Sequence, residues 1–233
     1  PRLAVRTRAV LEFVRLMLPK MASHPIEPLM FLYFTSLATT LGAGSVSAVS
    51  FARNFQSVPV SLIGVAFSLA AFPILSAAYA DGDRARFTGI LRTNLATITL
   101  LTTGAAISLY VLSGLVIELF LGGGAFDAAD VARTSLVLAA FALSVPFDSL
   151  THLLSRAIYA TRNTILPVGA SIGGFAVTVG ATALLAPRIG IAAFPLCFAA
   201  GSATKVGLLG LALIPRLRGA RWTGARSDLA API

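Results

Sequence analysis

NFQSVPVSLIGVAFSLAAFPILSAAYA, residues 54–80, is an uncharged run of 27 residues between Arg53 and Asp81. A helix that crosses a bilayer needs about 20 predominantly apolar residues, so this run reads as a membrane span. Three further intervals of 25 uncharged residues lie between Glu27 and Arg53, between Arg92 and Glu118, and between Arg162 and Arg188. An unpaired charge at the bilayer centre costs at least about 2.5 kcal/mol, so such intervals mark spans. Two other apolar segments are interrupted: Val131 to Ala160 contains Asp148 and His152, and Ile189 to Ile214 contains Lys205. Together they predict an all-α, polytopic transmembrane lobe of six helices, at about 26–41, 47–79, 90–121, 131–160, 165–186 and 189–215. The second and fourth are long for simple spans, so tilt or a break is expected at Pro59, Pro73 and Pro146. Residues 83–92 read as a short surface helix whose arginines snorkel while Phe87, Ile90 and Leu91 face lipid.

The whole chain agrees. Its 233 residues are 57% hydrophobic and 12% charged, with a mean hydropathy of +0.87; a soluble domain carries roughly 25% charged residues. The net charge of +9 would suggest nucleic acid in a soluble protein. Here the basic residues sit at the ends of apolar runs with no aromatic platform between them, so membrane topology explains them and no nucleic-acid partner is expected. One side of the six-span map collects 14 Lys and Arg, the other has Arg53, Arg133 and Arg188, and the positive-inside rule makes the rich side cytoplasmic. A lead-in over residues 1–25 and a basic tail over 218–233 fall on that side. The chain opens at Pro1 with neither a Met nor a signal peptide and is expected to be a piece of something longer.

Ionisable residues within spans point to function, since each needs a partner or water. Arg53 lies near the outer end of the second span, in Phe51-Ala52-Arg53-Asn54-Phe55-Gln56. Arg53, Asn54 and Gln56 are the candidate substrate-binding residues, for an anionic ligand in a cavity; the competing reading puts Arg53 at the headgroups, on lipid phosphate. Asp148, His152 and Arg156 recur every four residues along one helix face. Asp148 and His152 form either a proton or ion relay, or a self-satisfied ladder in which they pair and Arg156 reaches the headgroups. Lys205 reads as a snorkelling lysine rather than a binding residue. Glycines 169, 173, 174 and 180 allow close helix contact in the fifth span. Gly122-Gly123-Gly124 reads as an outer turn, with Asp127 capping the next helix. No spacing of His, Cys or carboxylates suits a metal, a cofactor or catalysis, so the protein reads as no enzyme.

Several strings resemble the MurJ (MviN) lipid II flippases: Gly44-Ser45-Val46-Ser47-Ala48, Phe51-Ala52-Arg53-Asn54, Val58-Pro59-Val60-Ser61-Leu62-Ile63-Gly64 and Phe72-Pro73-Ile74-Leu75-Ser76. Leu16-Met17-Leu18-Pro19-Lys20, Gly124-Ala125-Phe126-Asp127 and Ala157-Ile158-Tyr159-Ala160 with Arg162-Asn163-Thr164 also fit, in family order over about residues 15 to 217. The resemblance implies the second six-helix lobe of an exporter-type, two-lobe transporter in the bacterial cytoplasmic membrane. It implies three partners: an undecaprenyl-diphosphate-linked peptidoglycan precursor, membrane lipids and a missing N-terminal lobe. Exporters of another undecaprenyl-linked glycan, or a non-transporting scaffold, are the alternatives. Two departures stand out. The family's second-lobe cavity arginine would fall at Asn54, one residue after Arg53, a turn of about 100° on a helix. The positions implied for a family cation site hold Tyr33 or Phe34, Thr178 and Thr182, so that site is expected to be absent.

Overall fold

The computed structural model describes residues 25–218 except Ala125. All but Pro25 of the lead-in, and all but Arg218 of the basic tail, lie outside the described residues. A backbone in hydrocarbon must satisfy its own hydrogen bonds, and the apolar runs accordingly form helices: α1 (Ile26–Ala38), α2 (Ser45–Pro59), α3 (Ala66–Ala80), α4 (Arg84–Val111), α5 (Ser113–Leu121), α6 (Ala128–Ala142), α7 (Val145–Ala160), α8 (Ile165–Ile189) and α9 (Ala193–Arg218). By length and apolarity Ser45–Ala80, Arg84–Val111 and Ile165–Leu217 can cross a bilayer; α6 and α7, bent by 43°, make a fourth if taken as one span, and Ile26–Leu41 is shorter.

Turns gather at two ends. One end carries Gly42, Gly44, Gly123, Gly124 and Gly190, all with positive φ, and the other carries Asp81, Arg162 and Arg218. At the glycine end Arg133 Nη1 donates to Ala43 O at 2.7 Å, fastening the α1–α2 turn to α6. Asp127 caps α6 by accepting from the Asp130 backbone N–H, as its position before an apolar run predicts, and Asp83 does the same for α4 from Arg86.

Apolar packing is stacked in two layers. Near the glycine end Met30, Phe34, Val49, Phe141, Phe194 and Phe198 are buried together; near the basic end Leu75, Phe87, Leu91, Ile98, Leu153 and Leu209 are. Outward-facing Leu62, Leu100, Val111, Leu119 and Leu184 are exposed, as suits lipid. This corrects the surface-helix reading of residues 83–92. They are continuous with α4, and Phe87 and Leu91 are buried because they close the lower core, while Ile90 is half-buried against it.

The proline expectations divide. A wide π turn, Val60–Val65, follows Pro59 and joins α2 to α3; Pro73 sits within α3 without a break; Pro146 follows the bend between α6 and α7. The π turn and the bend face each other. Gln56 Nε2 donates to Ser144 Oγ at 3.1 Å, Val60 packs with Val145, and a Cβ on Gly64 would stand 2.6 Å from Ser149 Cβ and 2.7 Å from its Cα. Only glycine lets the two irregular segments approach so closely.

Helices α8 and α9 fold back on each other at Gly190–Ala192, just past Pro187 and Arg188, which lie inside α8. Their contact is antiparallel: Gly173 meets Leu208, Gly174 meets Lys205 and the Gly201 carbonyl, and Gly201 meets Thr178. Gly169 and Gly180, expected in the same seam, lie outside it: a Cβ added at either would meet nothing within 4 Å.

Gly64→Ala should lower the melting temperature of the purified gene product, since forcing a methyl into a packed contact costs about 1–3 kcal/mol. Gly104→Ala, whose Cβ meets nothing within 4 Å, should leave it unchanged or raise it. Equal melting temperatures for Gly64→Ala and the parent would show that α7 is not held against the π turn.

Candidate functional site

A basin of about 480 Å³ opens on one face of the lobe, lined by Ile26, Glu27, Leu69, Phe72, Thr151, His152, Ser155, Arg156, Tyr159, Ser171 and Lys205. Five helices supply these residues. Glu27 comes from the first turn of α1, Leu69 and Phe72 from α3, the Thr151–Tyr159 face from α7, Ser171 from α8 and Lys205 from α9. Among the described residues, no carboxylate lies within ion-pair distance of Arg156 or Lys205. Among the described residues the basin therefore offers two fixed cations, a histidine and the Ser155 and Ser171 hydroxyls, against the single acid Glu27.

Sequence alone reads Lys205 as a snorkelling lysine rather than a binding residue. Instead α9 runs on to Arg218, and 13 residues at 1.5 Å each put Lys205 about 20 Å from that end. Its aliphatic stem lies across Gly174, where a Cβ would collide with Lys205 Cγ and would stand 2.9 Å from the Gly201 carbonyl oxygen. The glycine thus makes the groove that steers the ammonium into the basin. Two signals are present in sequence, Gly174 and Gly201, but only the pairing of α8 with α9 shows that they serve Lys205.

Arg53 lies two turns inside α2, about 12 Å from Ser45, rather than at its end. Its guanidinium stacks over the Phe198 ring, 4.9 Å from the centroid, and Nη2 is 4.0 Å from Glu27 Oε1. The Arg53 side chain is only 22% exposed, held between the buried Phe198 ring and the 60% exposed Glu27. Asn54, a helical step of 100° away, is exposed and does not line the basin. Gln56 is 1% exposed and spent on Ser144, so it braces the π turn rather than facing the basin.

Of the α7 stripe, His152 and Arg156 line the basin and Asp148 does not. No hydrogen bond or ion pair joins Asp148 to His152 among the described residues, so the ladder is not formed. Where the resemblance implied a cation site, Phe34 is buried edge-on to Phe194 at 5.2 Å. The Thr178 and Thr182 hydroxyls donate to the carbonyls of Gly174 and Thr178.

Among the described residues the chain is an all-helical lobe of a membrane protein, apolar outside and with a basic basin on one face. The fold matches "Lipid II flippase MurJ, inward closed conformation" with a TM-score of 0.77 at 23% identity, over 89% of this chain and 45% of that one. It matches the eukaryotic MATE transporter AtDTX14 equally, at 0.77 and 18% identity, over 94% of this chain and 48% of that one. At such identities the likeness establishes the fold.

The family follows from sequence: residues 1–233 match the family described as Lipid II flippase MurJ, and the chain belongs to that family. It is 28% identical over 93% of its length to the "Lipid II flippase MurJ" of Burkholderia cenocepacia, and 30% identical over 77% to the "Probable lipid II flippase MurJ" of Thermotoga maritima. It spans only 42% and 37% of those two relatives.

Gly174→Val should push Lys205 off the α8 face. Labelling of a Lys205→Cys reporter by a membrane-impermeant maleimide should then change at least several-fold relative to the same reporter with Gly174 intact; equal labelling would show that Gly174 does not guide residue 205.

Proposed function

We propose that this chain is the second lobe of a flippase that carries an undecaprenyl-diphosphate-linked peptidoglycan precursor across the bacterial cytoplasmic membrane. The observation that carries the reading is the basin, where Arg156 and Lys205 stand without a carboxylate partner among the described residues in a lobe of this family. A diphosphate is the ligand chemistry that answers it. Guanidinium and ammonium groups bind phosphate oxygens through charge-assisted hydrogen bonds, and the Ser155 and Ser171 hydroxyls can donate further ones.

Transport follows from two lobes that rock about a site between them. The glycan and diphosphate occupy the hydrated basin, the polyprenyl tail stays in lipid, and reorientation exposes the head to the other side. The basic end lies in the cytoplasm by its charge. An N-terminal lobe supplies the opposite wall, which accords with the chain spanning about two fifths of its relatives. The reaction moves a molecule without making or breaking a bond, so the protein is a transporter rather than an enzyme.

Arg156→Ala and Lys205→Ala, each in the full-length gene product, should abolish or severely impair growth of a strain depleted of its own lipid II flippase, with the protein still in the membrane. Arg53→Ala should do the same through loss of the anchor on Phe198. Normal growth with both Arg156→Ala and Lys205→Ala would remove the basin from the mechanism. A leaflet-accessibility assay separates a transporter from a scaffold, since a scaffold would bind precursor without changing its sidedness.

A further inference from the structure

Among the described residues Glu27 is the one acid lining the basin, which also holds the cations Arg156 and Lys205. Its side chain is 60% exposed, and its contact with Arg53 is loose, at 4.0 Å. An exposed pair of that length is weak and exchanges readily with another anion. Arg53, by contrast, is 22% exposed and seated on the Phe198 ring, so it stays in place when the carboxylate swings away. Pro25 and Pro28 flank Glu27 at the start of α1. Their fixed φ angles suit a first helical turn, which keeps the carboxylate tethered at the rim.

Resting on the diphosphate reading of the basin, we infer that Glu27 is a specificity-determining residue: a tethered anion that a diphosphate displaces and a singly charged phosphodiester headgroup does not. A basin in a membrane lobe is surrounded by phospholipid phosphates, each carrying one negative charge. Exchanging the Glu27 carboxylate for one such phosphate leaves the charge unchanged, both beside Arg53, which meets Glu27 from outside the basin lining, and beside the lining cations Arg156 and Lys205, and gains little. A diphosphate brings at least two charges, so it replaces the carboxylate and still has charge left for the remaining cations. The same competition loosens the bound diphosphate, and a transport site must bind firmly enough to load and weakly enough to release.

The test measures inorganic pyrophosphate binding to the full-length gene product in nanodiscs of phosphatidylcholine or of phosphatidylglycerol, for the parent, Glu27→Gln, Glu27→Asp and Arg156→Ala. Comparing variants within one lipid cancels its surface potential. Glu27→Gln should bind pyrophosphate about tenfold more tightly than the parent in phosphatidylcholine. In phosphatidylglycerol that advantage should vanish, because the anionic lipid now enters the basin. Glu27→Asp should behave as the parent in both lipids, which a merely structural role at the start of α1 does not predict. If the parent binds and Arg156→Ala weakens binding, but Glu27→Gln equals the parent in phosphatidylcholine, the inference about Glu27 is overturned and the basin reading stands. If no protein binds pyrophosphate in either lipid, the basin reading falls and this inference with it.

Discussion

A charge held within an apolar bundle must be paired, hydrated or used; Glu27, Arg156 and Lys205 bring three such charges to the basin from α1, α7 and α9, and Arg53 of α2 meets Glu27 from outside the basin lining. Their convergence requires four helices to present particular faces together. Arg53 meets the requirement with an aromatic ring on one side and a carboxylate on the other. Arg156 and Lys205 meet it by opening onto a cavity large enough for water or a ligand.

Glycine makes that convergence possible in two places, by different means. At Gly174 and Gly201 the missing side chains let α8 and α9 touch along their backbones, and the freed volume takes the Lys205 stem. At Gly64 the absent Cβ lets a π turn lie against α7 at Ser149. A π turn rotates the residues that follow it relative to an unbroken helix, so α3 can present Leu69 and Phe72 to the basin while α2 turns Arg53 toward Phe198 and Glu27. The Gln56–Ser144 hydrogen bond spans the same junction. In hydrocarbon an amide without a partner is costly, so this polar pair holds the two irregular segments in register.

Much of the helical framework was legible in the sequence. Charge-free intervals marked the apolar helical segments, because a helix in hydrocarbon is constrained locally, by its own backbone and its own side chains, but not the start of α4 at Arg84 or its break from α5 at Leu112. Asp127 as a cap was legible for the same reason. Where reading failed, the deciding contact was distant in sequence. Phe87 and Leu91 read as lipid-facing on an isolated amphipathic segment, yet Leu75 and Ile158 complete a core around them. Gln56 read as part of a binding stretch beside Arg53, yet its partner is 88 residues away.

The candidate site shows the same division. Sequence alone determined that Arg53, Asp148, His152, Arg156 and Lys205 lie within apolar helices, since that needs only the order of residues and a rise of 1.5 Å each. It offered no way to choose among them, and it left Glu27 as the boundary of an interval. Only the tertiary structure sent Lys205 across Gly174 into the basin, set Arg53 between Phe198 and Glu27, and left Asp148 outside. Which charges meet depends on how helices cross and how closely they approach, and those distances are set by packing between segments as far apart as α1 and α9.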